Sequence, residues 1–407
     1  MFFKKKLLPE GSLSAKSWTK LRRNKTAVIS MIVVLAAIIV SILGYLITPD
    51  SSPFANDQHL EIAAQKPGFS VQIIKIRKNE PDKDCNLLRL IAYGCNSKHI
   101  TIPISSYAFH NDEIVILPYD AAGNRGEISY TFKLADVIFP LSDTSRKALS
   151  SPVLADLNRE SVNPDIATLR EQIVKSNISK KNFLLGTDRF GRDVLSQLMI
   201  GTRVSLSVGF ISVLISLVLG IFLGALAGFF RGRTDDVIIW FINVIWSIPT
   251  LLLVIAITFA LGKGFWQVFI AVGLTMWVEV ARVVRGQILS LREMEFVEAA
   301  RALGFKNKRI IIRHILPNTM GPVIVISAAN FASAILIEAG LSFLGIGVQP
   351  PMPSWGTMVK ENYAYIILDN PWLAILPGIC IMLLVLAFML IGNGLRDALD
   401  VKAGSQA

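Results

Sequence analysis

Apolar and polar positions alternate along the chain on two scales. On the long scale, six apolar segments lie between polar ones: Thr26–Thr48, Val204–Phe230, Val237–Leu261, Gly264–Val284, Met320–Gly347 and Trp372–Leu395. Each reaches the roughly 20 residues that a helix needs to cross a bilayer. Lys4-Lys5-Lys6 and Arg22-Arg23-Asn24-Lys25 precede the first of them, as they would precede a secretory signal. That segment is too long for a signal core, and no small-x-small cleavage site follows it, so an anchor is expected. On the short scale, Ile128, Tyr130, Phe132 and Leu134 alternate with polar residues, which predicts a strand. Glu113–Pro118 and Val71–Arg77 are two further strand candidates, and Asp120–Gly126 reads as the turn between two of the strands. Ile166, Leu169 and Ile173 share one face of a helix expected over Asp165–Ser176. A soluble α+β or mostly β insert is therefore expected between the first and second spans.

One polar segment between spans has a pattern of its own. Leu291–Leu303 is dominated by Leu, Met, Ala, Glu and Arg with no Gly or Pro, which predicts a helix. Gly304 stands where a left-handed C-terminal cap is needed. Asn307 is positioned to cap a second short helix, Lys308–Leu316, which Pro317 is expected to close. The pattern predicts two short helices on a glycine hinge, projecting from the bilayer into water.

Composition supports a membrane protein: of 407 residues, 52% are hydrophobic and 17% charged, with mean hydropathy +0.52. The net charge of +11 is concentrated beside spans, where Lys and Arg set orientation, so nucleic acid is not an expected partner. The basic N-terminus, Arg231 and Arg233, and the basic loop around Glu298 place both termini and that loop in the cytoplasm; Lys263 and Lys360 stand in sparsely charged loops. The long segment 49–188 is expected on the exported side. There Cys85 and Cys95 can close a short disulfide loop or stand as free thiols. Cys380 is expected to pack within the membrane. His99 and His110 show no ligand spacing, so no metal site is expected.

The pattern Glu298-Ala299-Ala300-x-x-x-Gly304, followed by His314-Ile315-Leu316-Pro317-Asn318, resembles the EAA signature of membrane subunits of type I ABC importers. His314 replaces the usual Ile, as in the variant similar to peptide-permease subunits. Gly186-Thr187-Asp188-Arg189-Phe190-Gly191-Arg192-Asp193 and Gly201–Leu206 resemble the start of the transmembrane domain in C-type subunits of dipeptide/oligopeptide permeases. Glu338–Pro351 and Pro353-Ser354-Trp355-Gly356 are similar to another block of the same subunits. The large insert departs from the compact family form.

The resemblance implies an all-α polytopic membrane protein: an N-terminal anchor plus a five-helix type I importer core, with the exported insert between the first and second helices. Its divisions are a basic segment 1–25, first helix 26–48, insert 49–188, permease domain 189–400 with the coupling loop 285–318, and a tail 401–407. It further implies a subunit of the bacterial plasma (inner) membrane that forms half of a pathway for di- or oligopeptides. The expected partners are a homologous B-type permease subunit, two ABC ATPase subunits, an extracytoplasmic substrate-binding protein and the lipid bilayer. The chain has no Gly-x-x-x-x-Gly-Lys-Ser/Thr loop, so ATP and Mg are expected on the ATPase subunits, with no cofactor bound here and no enzymatic activity. Glu298, Ala299, Ala300, Gly304, His314, Leu316 and Pro317 are the coupling candidates.

Pro249, in Ser247-Ile248-Pro249, either lines a pathway or gives a packing kink. Glu338 is a functional intramembrane carboxylate or a solvated or paired one near a helix end. Trp355 lies in a proline-stiffened loop that suits cargo contact or interfacial anchoring. Glu279 and Arg282, at i, i+3, are expected to pair. The alternatives are a nickel or other small-solute permease of the same family, an ion-coupled secondary transporter, and a membrane-anchored receptor.

Overall fold

The computed structural model describes residues 13–80, 85–120, 128–141, 154–155, 161–162, 165–262 and 264–399. Apart from Asp120, the expected Asp120–Gly126 turn lies outside the described residues, as do Lys4–Lys6, Lys263 and the tail 401–407. The chain forms two compact units: Met1–Ser41, Gly201–Lys360 and Ala374–Ala407 in one, Ile42–Ile200 and Glu361–Leu373 in the other.

The helices α1 (Leu13–Arg23) and α2 (Lys25–Ile47) are separated by Asn24, whose side chain accepts from the Ala27 amide at 3.2 Å. This is an N-cap, and it explains why one basic run yields two helices. After α2, the long helices are Val194–Phe230, Phe265–Leu291, Leu316–Phe343 and Trp372–Leu399. The first of these has 37 residues, about 55 Å at 1.5 Å per residue, which exceeds a bilayer core. It starts ten residues earlier than hydropathy alone predicts because Asp193 caps it, accepting from the Ser196 amide at 2.8 Å. Within it, Gly220, Gly224 and Gly228 face Phe265–Leu291. A Cβ on Gly224 would lie 2.5 Å from the Ala281 carbonyl oxygen, so the two backbones touch because these positions are glycine.

Among the described residues, five helices are long and apolar enough to cross a membrane. The expected third span differs. In place of one kinked helix over Val237–Leu261 there are two, Gly232–Trp246 and Thr250–Leu261, bent by 94°. Pro249 has no amide to continue the ladder and takes an extended ψ of 124°, so the chain turns there instead of bending slightly.

The second unit contains a five-stranded antiparallel sheet. Its strands are β1 (Phe69–Arg77), β2 (His99–His110), β3 (Glu113–Pro118), β4 (Tyr130–Lys133) and β5 (Ile178–Phe183), in the order β4-β3-β2-β1-β5. Between β1 and β2 lies the helix α3 (Leu87–Tyr93). Ile74, Ile76, Ile104, Ile114 and Ile116 form one core with Leu134, Val137, Leu169 and Ile173 from short helices. Val71, Ile73 and Phe183 pack with Ile62 in a second core. The period-two alternation thus supplies both faces of β1. Asp165 caps the helix Ile166–Gln172, accepting from the Thr168 amide at 3.4 Å. Neither β2 nor β5 was among the expected strands. In β2, Pro103 and a bulge between Ile104 and Ser106 break the alternation. His99 and His110 stand at opposite ends of that twelve-residue strand.

Candidate functional site

The segment after Leu291 folds as two short helices, with boundaries that differ from expectation. Helix Phe265–Leu291 ends first, and after a short turn a separate helix runs from Glu295 to Ala302. Gly304 has φ 76°, its amide donates to the Arg301 carbonyl at 2.9 Å, and the Phe305 amide donates to the Ala300 carbonyl at 3.1 Å. These two bonds define a Schellman cap, which needs a left-handed residue at the glycine position. The second helix begins at Asn307, but Lys306 occupies the cap position and no side chain caps it, so Asn307 is not the cap.

Pro317 does not close the second helix. Ile310–Ile315 is π-helical and leads directly into Leu316–Phe343, with Pro317 in the first turn of that helix. The missing proline amide is harmless in a first turn, and the wider π-turn accommodates the ring. The polar segment is therefore joined without a gap to the long helix that follows it.

One side of this hairpin is anchored. Val297, Ala300, Ile310 and Ile315 are buried against Ala225 and Phe229, against Val280, Val284 and Ile288, and against Val323. At its base Arg292 donates to the Phe229 carbonyl at 2.6 Å, and Arg231 pairs with Glu293 at 2.9 Å. Arg285 holds Asp235 through two nitrogens, at 2.5 and 2.6 Å. Phe305, directly after the hinge, lies between Arg309 at 4.0 Å and the His314 ring at 5.8 Å, inclined by 18°. The flat imidazole at position 314 thus stacks on Phe305. Phe305 and Arg309 were absent from the predicted site, although the residue after a cap glycine commonly makes such a hydrophobic contact.

The other side is free. Glu298, Ala299, Gly304 and Pro317 are exposed, and Leu316 is half-buried. Met294, Phe296 and Ile312 are exposed as well, and Leu303 is 72% exposed. Small residues and large apolar side chains are thus exposed in the same segment as Arg301, Lys306, Lys308 and Arg313.

The remaining candidates do not join this surface. Glu338 is fully buried, not solvated, and its Oε1 accepts from the Ser342 hydroxyl at 2.7 Å. Ser342 Oγ in turn accepts from the Val348 amide at 3.2 Å, which holds the following loop against the helix end. Trp355 is 3% exposed and lies where a Cβ on Gly201 would meet it at 2.9 Å, so it packs inside the unit and not at a surface. Arg282 reaches Asn243 at 2.9 Å and stacks on Trp246 at 3.5 Å. It faces helix Gly232–Trp246, and no ion pair with Glu279 forms. Glu279 instead lines an open cavity of about 1070 Å³ together with Pro317, Asn318, Asn393 and Arg396.

The block Gly186–Asp193 belongs to the second unit. Asp188 accepts from the Arg192 side chain at 2.7 Å and from the Phe190 and Arg192 amides at 2.9 Å. Arg192 also pairs with Glu361 at 2.8 Å. Asp188 and Arg192 are both buried and multiply bonded, so this pair is a structural knot. In the same unit, Cys85 and Cys95 are joined as a disulfide, with Cα atoms 6.2 Å apart.

Several apolar spans bearing a polar hairpin anchored on one side and exposed on the other define a multi-pass membrane protein. A family model described as "Binding-protein-dependent transport system inner membrane component" matches residues 220–403, and one described as "N-terminal TM domain of oligopeptide transport permease C" matches residues 12–67. The dipeptide transport system permease protein DppC of Alkalihalophilus pseudofirmus is 44% identical over 220 residues, 54% of this chain and 72% of that protein. The oligopeptide transport system permease protein OppC of Bacillus subtilis is 38% identical over 222 residues, again 54% of this chain and 72% of that protein. A solved MetNI methionine ABC transporter chain aligns with TM-score 0.42 and 18% identity, covering 50% of this chain and 95% of that one. The chain belongs to the C-type permease family of binding-protein-dependent ABC importers, multi-pass proteins of the inner membrane.

Proposed function

We propose that this chain forms half of a pathway for di- or oligopeptides and takes up the ATP cycle of its partners through residues 295–315. The hairpin geometry carries this reading. One face is buried against three long helices, and the other presents Leu303, Met294 and Phe296 to water beside Glu298 and Ala299. A force applied to that face reaches the helix Leu316–Phe343 directly, because the π-turn joins them. The partners on this reading are a B-type permease subunit, two ABC ATPase subunits that bind ATP and Mg, and an exported substrate-binding protein. The names of the relatives support peptides as cargo.

The bent pair Gly232–Trp246 and Thr250–Leu261 then serves as the sixth membrane element, with Pro249 at its turn. Broken helices are tolerated in a membrane where they line a cavity or pack within protein. Glu338, through Ser342, holds the loop leading to Trp355 as a gating element. Both termini are cytoplasmic and the insert 49–188 is exported, where an oxidising compartment sustains the Cys85–Cys95 bridge.

Uptake of labelled peptide into cells carrying Gly304→Asp or Glu298→Lys tests the coupling role. Transport is expected to be lost while membrane insertion remains. Unchanged uptake, with the ATPase still co-purifying, would overturn it.

A further inference from the structure

We propose that the helix Leu87–Tyr93 is a lipid-interface anchor: it lies in the headgroup region of the bilayer, beside the point where Lys25–Ile47 emerges. The proposal rests on the reading that Lys25–Ile47 spans the membrane.

The helix reads Leu-Leu-Arg-Leu-Ile-Ala-Tyr, and none of its residues is buried. Leu87 is 64% exposed, Leu88 82% and Tyr93 69%. A helix this short is not stable alone in water. It is held at both ends by the Cys85–Cys95 disulfide. A surface so apolar, fixed so deliberately, calls for an apolar partner.

Its position identifies that partner as lipid. The Cys95 amide donates to the Ser51 carbonyl at 3.0 Å, and Ser51 lies just past the end of Lys25–Ile47. Gly94, at φ 73°, sits so close to that exit that a Cβ would lie 2.7 Å from the Ser51 oxygen and 2.9 Å from the Tyr45 ring. Leu90 packs against Tyr45, Ala55 and Ile200. On the same last turns, Ile42, Leu43, Leu46 and Ile47 are exposed apolar side chains. The helix that carries the exposed Leu87 and Leu88 is thus fixed beside the end of the span, where these apolar side chains are exposed. The polar members fit the same depth. Tyr93 offers an amphipathic ring of the kind enriched at bilayer interfaces, and Arg89 a cation within reach of lipid phosphates.

The full chain is reconstituted in vesicles of phosphatidylethanolamine and phosphatidylglycerol doped with a phosphatidylcholine bearing a diazirine near its headgroup. After illumination, lipid adducts are mapped by mass spectrometry. Adducts on residues 86–95 are expected at several-fold the level on Glu113–Pro118 and comparable to the end of Lys25–Ile47. The double substitution Leu87→Asp, Leu88→Asp should remove them from 86–95 only. Adducts on Lys25–Ile47 with no excess on 86–95 would overturn the anchor while leaving the span intact. Absence from both would overturn span and anchor together. Should the double variant not fold, the wild-type adduct ratio decides alone. Adducts on 86–95 that vanish when the complete transporter is assembled would assign the helix to a protein contact and overturn the proposal.

Discussion

The hairpin at 295–315 and the block Gly186–Asp193 look alike in sequence. Both are short, rich in Arg with acidic partners, and built around glycines with positive φ, at 304 in the one and at 186 and 191 in the other. They differ in where the charges end. In Gly186–Asp193 the carboxylate of Asp188 and the guanidinium of Arg192 are buried and multiply bonded, with Glu361 completing the network. In the hairpin the pairing is confined to the base, through Arg231 and Glu293, and Glu298 and Leu303 face outward. A polar pair buried and bonded within the fold is architecture. A polar motif that anchors one face and exposes the other is available to a partner.

Substitutions that separate stability from transport test this contrast. The largest effect is expected from Arg192→Ala, which leaves the buried Asp188 carboxylate without its cation and the half-buried Glu361 with Arg189 alone, at 3.6 Å. Breaking such a network costs about 3–5 kcal/mol, so a pronounced loss of thermal stability in detergent is expected; an unshifted melting profile would refute the structural role. Gly304→Ala comes next. A Cβ there meets nothing within 4 Å, so the cost is that of a left-handed alanine, about 1 kcal/mol. Transport should fall more than stability does; an equal fall in both would remove the distinction between the two regions. Leu303→Ser should change stability by no more than about 0.5 kcal/mol, as surface substitutions do, yet reduce recovery of the ATPase with the chain.

The smallest effect concerns pH. Burial raises the Asp57 carboxyl, but the hydrogen bond and charge of His59, with Lys181 and Thr101, outweigh it and hold the group below its ordinary value. Its contribution to stability is complete above about pH 4, the usual carboxylate value, and is lost as pH falls through the lower folded value. Acid titration of unfolding should show that loss in the wild type and a reduced one in Asp57→Asn. An identical acid limb in both would remove the assignment.

Much of this was legible in the residues themselves. Apolar runs locate the long helices because a span has few alternatives in lipid, and Gly304 announces a left-handed cap directly. Pro317 was misplaced because proline both ends helices and opens them, and only the π-turn before it decides between the two. One span is expected across Pro249 because hydropathy runs straight through what is a right-angled turn. Glu338 and Trp355 depended on partners that folding supplies, Ser342 beside the one and Gly201 beside the other. Arg282 illustrates the same limit: its helical neighbour was visible, but Asn243 and Trp246 lie on another helix.

The central claim is that the exposed face of the hairpin receives the ATP cycle of another protein. A thiol at that face tests it most directly: Leu303→Cys in a Cys380→Ser background, assembled with its partner subunits and treated with a short bifunctional reagent. The account predicts a cross-link from position 303 to an ATPase subunit, with uptake arrested by a reducible linker and restored when that linker is cleaved under conditions that spare Cys85–Cys95. A position 303 that stays open to a bulky maleimide in the assembled transporter, with uptake undiminished by the modification, would contradict it.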